Sequence, residues 1–301
     1  MKYQTFIIGH VTMDENVDYD GKTVFTEGGA VLYSSAAAYG TGHKTAALTA
    51  LNEKDKGRIE AFRLPEKDVF CVFKDKSTDM YNRYLTVDRE RRDSRCTSRG
   101  TPFTAEDFAD LPESEIYHLA GLLCGDYDEN LIPFLSTKGK VAVDVQACLR
   151  RADKEGGEMY FADWADKKEL LPYVYYLKTD AAEAEILTGT TDRKKAAEIL
   201  LSWGAKEVVI THNTEVLAFD GTTMATCPIK ARNLSGRSGR GDTTFAAYIT
   251  ERKDADLKKA LLFATATVSN KMEKVGPYRG TRADVEKYID EFYKEEKEIL
   301  K

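Results

Sequence analysis

Short uninterrupted apolar runs alternate along this chain with stretches whose apolar residues recur at helical spacing, a pattern that predicts a doubly wound α/β fold. Runs at residues 6–9, 44–51, 116–119, 141–145, 173–177 and 207–211 read as strands of a central sheet, apolar at consecutive positions because both faces are covered. Residue 9 is a glycine, and the first run is expected to deliver Asp14 to a sheet edge. Gly28-Gly29 opens an alanine-rich helix at 30–39. Crossover helices are expected at 127–135, 167–171, 181–187 and 192–203, then a helical C-terminal part at 242–253, 257–271 and 283–300. Thr104 followed by Asp107 is a further helix N-cap signal.

Two segments interrupt this rhythm. Residues 17–25 alternate about Asp20-Gly21, a hairpin pair, and residues 69–87 form strand-like pieces broken at 74–77. Together they predict a small β lid, inserted at about 15–27 and 69–100 into a single domain spanning 1–301. Exposed lid strands invite pairing between subunits, so a homodimer through the lid is expected.

Composition narrows the function classes. With 42% hydrophobic and 31% charged residues and only seven prolines, the chain has a globular composition without long disordered tracts. The net charge of −6 comes from interspersed signs, which excludes a continuous positive surface for nucleic acid and leaves anionic substrates to a local basic site. Cys71, Cys96, Cys124, Cys148 and Cys227 form no C-x-x-C pair and have no histidine at zinc spacing, so reduced thiols are expected. The N-terminal apolar run is too short for a signal peptide or membrane span, which predicts a cytoplasmic protein with no membrane partner.

The most informative stretch is Gly236-Arg237-Ser238-Gly239-Arg240-Gly241-Asp242, a glycine turn leading straight into an apolar helix. Such a turn bends the backbone so that successive N–H groups converge at the helix N-terminus, where phosphate oxygens meet unsatisfied donors and the helix dipole. Asp242, at the helix start, is placed to take a proton from a substrate hydroxyl as phosphate arrives. Taken alone, the stretch fits a plain glycine-capped helix equally well.

The same turn resembles the signature of the ribokinase-like (PfkB) family of carbohydrate and nucleoside kinases, DTxGAGD followed by a small-residue helix. Gly239, Gly241 and Asp242 match it, while Gly236-Arg237 replace the Asp-Thr and Arg240 the Ala. Arg240 still offers its backbone N–H, and its side chain is long enough to reach phosphate or the lid. The family's N-x-x-E helix ahead of L-T-G is matched by residues 180–189, with Glu183 on the Glu and Asp180 in place of Asn. Gly28-Gly29 resembles the substrate-side glycine pair and Asp14 the carboxylate that grips hydroxyls; Tyr33 stands where sugar kinases often carry Asn, which favours a substrate other than ribose. Residues 144–150 resemble a D-x-Q-G-x-x-R run, so Gln146 and Arg150 either face the substrate or triphosphate or form a strand-end salt link. Thr211 opens a nucleotide loop in which Asn213 and Val216 replace glycines, and Asn270 and the turn at Gly276 supply adenine walls.

What the resemblance implies is a phosphotransferase acting on a small sugar or polyol, with ATP as donor, Asp242 as base and Gly239, Arg240 and Gly241 as the anion hole. Magnesium would be held through water by Glu183 and Asp180, and a monovalent cation would sit in the loop that the family's Asp-Thr shapes. Two alternatives stay open: a nucleoside kinase of the same family, for which Tyr33 and the Phe-containing lid allow a base, and a non-catalytic sugar-binding relative. Arg83, Arg89, Arg91, Arg92 and Arg95 either meet a phosphorylated substrate from the lid or form a solvated face.

Overall fold

The computed structural model describes residues 2–87, 91–153 and 155–299. From the N-terminus the elements are β1 (Tyr3–Ile8), β2 (Thr12–Val17), β3 (Thr23–Gly28), α1 (Ala30–Gly40), β4 (Thr45–Leu51), β5 (Val69–Phe73), β6 (Thr78–Tyr84) and β7 (Arg92–Ser98). There follow β8 (Ser114–Leu119), α2 (Leu131–Ser136), β9 (Lys140–Asp144), α3 (Gln146–Leu149), β10 (Arg150–Ala152), β11 (Met159–Phe161), α4 (Lys167–Leu170) and β12 (Tyr176–Asp180). The last part comprises α5 (Ala181–Thr188), α6 (Arg193–Ser202), β13 (Glu207–Thr211), β14 (Glu215–Phe219), β15 (Met224–Pro228), α7 (Arg240–Glu251), α8 (Leu257–Met272), α9 (Arg282–Phe292) and α10 (Lys294–Ile299).

A mixed α/β architecture results, with a large central sheet ordered β15-β14-β13-β12-β9-β8-β1-β4-β5. It is parallel from β5 to β13, and β14 and β15 close one edge antiparallel. Alternate side chains of each central strand enter opposite helical layers, as the two-residue period requires. In β1, Ile7 joins the core beneath α1, α7, α8 and α9, whereas Phe6 and Ile8 join the core beneath α2, α5 and α6. Because the parallel strands point the same way, the C-terminal ends of β1, β9, β12 and β13 open together on one rim. Open α/β sheets bind their ligands at such a rim.

A separate four-stranded sheet is ordered β3-β2-β6-β7, with β2 and β6 parallel. Its β7 edge is pinned to the body by the β10–β11 hairpin, where the Cys96 amide donates to the Gly157 carbonyl at 2.9 Å. Gly157 sits at φ 69°, and a Cβ there would lie 2.2 Å from the Cys96 oxygen, so only glycine permits this approach.

Several elements depart from the apolar pattern. The first hairpin is longer than residues 17–25, which puts Asp14 inside β2 rather than at the end of the first strand. The strand expected at 173–177 forms as Tyr176–Asp180, because Pro172 sits in a 3-10 turn at Leu171–Tyr173. The helix expected at 127–135 is confined to Leu131–Ser136, because Tyr127 pairs with Phe103 and the Asp128 amide donates to the Phe103 carbonyl at 2.9 Å. The helix expected at 283–300 divides at Tyr293 into α9 and α10, and Leu300 lies outside the described residues.

Candidate active site

Phe245, Ala246, Ala247, Tyr248 and Ile249 are buried, so α7 is fixed as a core element and its N-terminus is held at the rim. Gly239 caps it at φ 72°, and a Cβ there would fall 2.0 Å from Cδ1 of Tyr33 on α1. Gly236 is equally constrained: a Cβ would lie 1.8 Å from the Lys274 carbonyl, and its own amide donates to Met272 at 2.7 Å. The Arg240 N–H, expected in the anion hole, is instead taken by the Arg237 carbonyl at 3.2 Å, which leaves the N–H groups that follow it in this locked turn for an anion at the rim.

Beneath the turn lies a buried charge cluster. Lys178, on β12 and 5% exposed, contacts Asp144 of β9 at 3.0 Å and Glu183 of α5 at 3.8 Å. A Cβ at Gly241 would come within 3.0 Å of its Nζ, so the lysine lies directly under the anion turn. Burial draws its pKa down, but the charges of Asp144, Glu183, Asp242 and Asp180 outweigh that and raise it. Asp242 itself is pushed up to about 6, chiefly by removal from water, with Asp144 adding and Lys178 and Lys271 opposing. A carboxylate tuned in this direction is a better proton acceptor near neutral pH than an ordinary aspartate.

On the donor side, Asp180 and Glu183 cap α5 reciprocally: the Glu183 amide donates to Asp180 Oδ1 and the Asp180 amide to Glu183 Oε2, each at 2.8 Å. Glu183 is 3% exposed, which removes the reading of this helix start as a surface feature. Burial raises its pKa, against the opposing charge of Lys178. Thr211, the last residue of β13, pairs with Asp180. The Arg240 side chain leaves the turn to donate to Asn213 Oδ1 at 2.8 Å. Asn270 near the end of α8 and Gly276, at φ 87°, follow on the C-terminal side of that helix.

On the other side, Asp14 faces inward from the small sheet. Met80, which pairs with it, packs with Cys96 against Leu123 of the body and so fixes which face is inward. A Cβ at Gly28 would lie 2.3 Å from Asp14 Oδ2, so the glycine makes room for the carboxylate; at Gly29, φ 106°, it would strike the His10 carbonyl. Burial raises the Asp14 pKa, against the Thr12 hydroxyl at 2.5 Å and the charges of Arg92, Arg150 and Arg58. Tyr33 feels both Asp242 and Asp14, and its hydroxyl is pushed up to about 12, mainly by burial.

The same inner face carries a continuous hydrogen-bond ladder, one side chain per strand. Ser94 Oγ donates to Asn82 Oδ1 (2.7 Å), Asn82 Nδ2 to Asn16 Oδ1 (3.3 Å) and Asn16 Nδ2 to Thr26 Oγ1 (3.0 Å). Arg150, at the end of α3, feels Arg92 from the small sheet and Glu183, Asp126 and Asp14 around it; burial lowers its pKa to about 10. Gln146 turns its amide towards the Leu122 carbonyl at 3.5 Å. Of the arginine run, Arg95 pairs with Glu158 at 3.1 Å, and Arg89 lies outside the described residues. The structure thus gathers Asp14, Tyr33, Asp242, Glu183 and Arg150 around one cleft. It adds Lys178, Lys271 and the ladder, which the motifs did not mark, and brings in Asp144, the first residue of the D-x-Q-G-x-x-R run, as a partner of Lys178.

The family model for pfkB family carbohydrate kinases matches residues 5–283. The chain belongs to that family. Among relatives, a cytidine kinase of Thermococcus kodakarensis is 26% identical over 258 residues, 81% of this chain and 86% of that protein. Among solved structures, a pyrophosphate-dependent kinase of the ribokinase family, complexed with a pyrophosphate analogue and myo-inositol, is 34% identical with a TM-score of 0.83, covering 94% of this chain and all of that one. A further similar solved structure, 32% identical with a TM-score of 0.82 over 96% of this chain and all of that one, concerns a pyrophosphate-dependent myo-inositol-1 kinase. That kinase was converted into a myo-inositol-3 kinase by exchanging an Asn and a Ser for Leu. This family member is therefore a phosphotransferase, and its fold is that of the ribokinase-like kinases.

Proposed function

We propose that this chain transfers a phosphoryl group to a ring hydroxyl of a cyclic polyol, with inorganic pyrophosphate as donor. The observation that carries the acceptor class is the ladder beside Asp14: four polar side chains in a row, suited to several hydroxyls. Asp242 takes the proton from the attacking hydroxyl as its oxygen bonds to phosphorus and the bond to the leaving phosphate breaks. The N–H groups at the start of α7 receive the charge on the transferring group, and most of the rate comes from this positioning.

Donor choice turns on Arg240. Its bond to Asn213 lies where the nucleotide loop of ATP-dependent relatives has glycine, and Arg237 lies close enough for its charge to act on Arg240. A donor made only of phosphate groups suits two guanidinium groups better than an adenine does. ATP, which the motif resemblance implies, is the competing donor. When bound, magnesium neutralises donor charge, and Asp180 and Glu183 fit its hydration shell because their reciprocal cap leaves each with one oxygen to spare. The free thiols suit a reducing cytoplasm.

The deciding assay follows product by phosphorus NMR with pyrophosphate or ATP against myo-inositol, pentoses and cytidine. Turnover of inositol with pyrophosphate supports the reading. Cytidine turnover would establish the nucleoside alternative, preference for ATP would overturn the donor, and no turnover at all would favour a binding protein. Asn82 and Ser94, neighbours in the ladder, are the two residue types whose exchange redirects the inositol kinase. Asn82→Leu with Ser94→Leu should therefore change which ring hydroxyl is phosphorylated while keeping the fold. Unchanged product regiochemistry would remove the ladder from recognition.

A second copy of the chain is the partner we assign to β3. This edge strand is exposed on both faces from residue 23 to 27, with Val24 57% and Phe25 64% exposed, an arrangement that soluble proteins cover or charge. Sedimentation should show a dimer that Phe25→Glu weakens; a monomeric wild type would dismiss it.

A further inference from the structure

The turn ahead of α7 brings the carbonyl oxygens of Gly236 and Ser238 against the C-terminal end of α8, whose last carbonyls carry partial negative charge. A nest of carbonyls of this kind selects a monovalent cation, and the resemblance implies such an ion beside the anion hole. The residues present do not fit an added ion. Lys271, in the last turn of α8 and 2% exposed, donates from its Nζ to the Gly236 carbonyl at 2.6 Å and to the Ser238 carbonyl. Its ammonium also lies 4.9 Å from the centre of the Tyr33 ring. An alkali ion entering the same nest would meet a like charge at contact distance in a site with little water, which is strongly repulsive.

We propose that Lys271 is a built-in cation, its ammonium holding the anion-binding turn in place of a monovalent metal ion, so that this chain works without potassium. Three further observations agree. Gly236-Arg237 replaces the Asp-Thr that shapes the ion's loop in relatives. The turn is stapled to α8 by the Gly236 amide on Met272 and by Ser235 Oγ on the Glu273 carbonyl at 3.0 Å, so the lysine and the carbonyls it holds move as one unit. Burial lowers the lysine's pKa to about 8 while the Asp242 charge opposes that, which leaves it cationic at neutral pH. Lys271 is thereby a positioning residue, acting on the donor through the turn.

The test uses the full chain in chloride salts of potassium, sodium, ammonium and tetramethylammonium at constant ionic strength. Wild-type thermal unfolding should be the same in all four, and Lys271→Ala should unfold at a lower temperature and gain a saturable stabilisation from potassium or ammonium alone. This arm needs no turnover, so it stands or falls separately from the proposed reaction on which the kinetic arm rests. In that arm the wild-type rate should be indifferent to the salt. The alanine variant should lose about tenfold or more, through poorer positioning, and regain part of it with ammonium or potassium. Potassium-specific stabilisation or activation of the wild type would overturn the proposal, as would an alanine variant that behaves like wild type or responds to no cation. Should the variant fail to fold, the wild-type salt series decides alone.

Discussion

Replacing Asp242 by Asn is expected to lower kcat by about a hundredfold to ten-thousandfold, the usual share of a general base, while donor affinity and the unfolding midpoint stay near wild type. The amide keeps the shape and polarity of the side chain at the start of α7 but accepts no proton. The pH profile gives an independent check. A base must be ionised to act, and burial pushes Asp242 up to about 6, so wild-type kcat/KM should fall as pH drops below about 6. In the variant that acid limb should vanish or move. Wild-type turnover and an unmoved limb in Asp242→Asn would transfer the role of base to another group.

Lys178→Met is expected to cost about 3 to 5 kcal/mol of folding stability, the range for removing one partner of a buried ion pair. Methionine nearly fills the space, so the loss comes from Asp144 and Glu183, both buried, facing each other without a countercharge. The sign of its pH dependence separates charge from packing. Glu183 already has a raised pKa, meaning that the folded chain binds its proton more tightly than the unfolded chain does. Stability linked to that proton is present at low pH and lost as pH rises, and removing Lys178 enlarges the effect. Urea unfolding of the variant should therefore show a deficit that shrinks towards pH 5. A deficit of the same size at every pH would make Lys178 a packing residue.

How much of this was legible in the sequence depends on whether the signal was local. The turn at Gly239 and Gly241, the acidic start of α5 and the Gly28-Gly29 pair are runs of neighbouring residues whose conformation their own glycines or caps dictate, and each was readable. The central strands were readable because burial on both faces leaves apolar residues at consecutive positions. Lys178 carried a faint sign: a lysine within an apolar segment just ahead of Asp180 has to find a carboxylate if the strand is buried. Lys271 carried a similar one, lying four residues after Thr267 and seven after Ala264 on the buried side of α8. The ladder was not readable, because Asn16, Asn82 and Ser94 meet only through the registers of three distant segments. The β14–β15 hairpin escaped for another reason: its short strands mix polar and apolar residues at a sheet edge, where one covered face leaves too brief a pattern to register.

The attachment of the small sheet along β7 has a mechanical consequence. With Gly157 clasping Cys96, and with Arg58 holding the Thr78 carbonyl at 3.1 Å and Asp79 at 2.8 Å, one side of the sheet is fixed to the body while β3 is joined to it only through neighbouring strands and the glycine pair. The sheet is then a door hung on one side. Strands lie about 4.8 Å apart, so β3 stands about 14 Å from the hinge line, and a swing of about 10° would carry it about 2.5 Å while β7 hardly moves. Asp14 lies two residues after Thr12, which is buried where β2 leaves the body and the Val11 amide donates to Thr49 Oγ1 at 2.9 Å, so the far ends of β2 and β3 would travel further than the carboxylate, and Ser94 on the hinge strand almost not at all. Substrate entry would thus open the cleft as a wedge, widest towards the far ends of β2 and β3 and narrowest at the serine, so bulk on the acceptor ring is tolerated least beside Ser94.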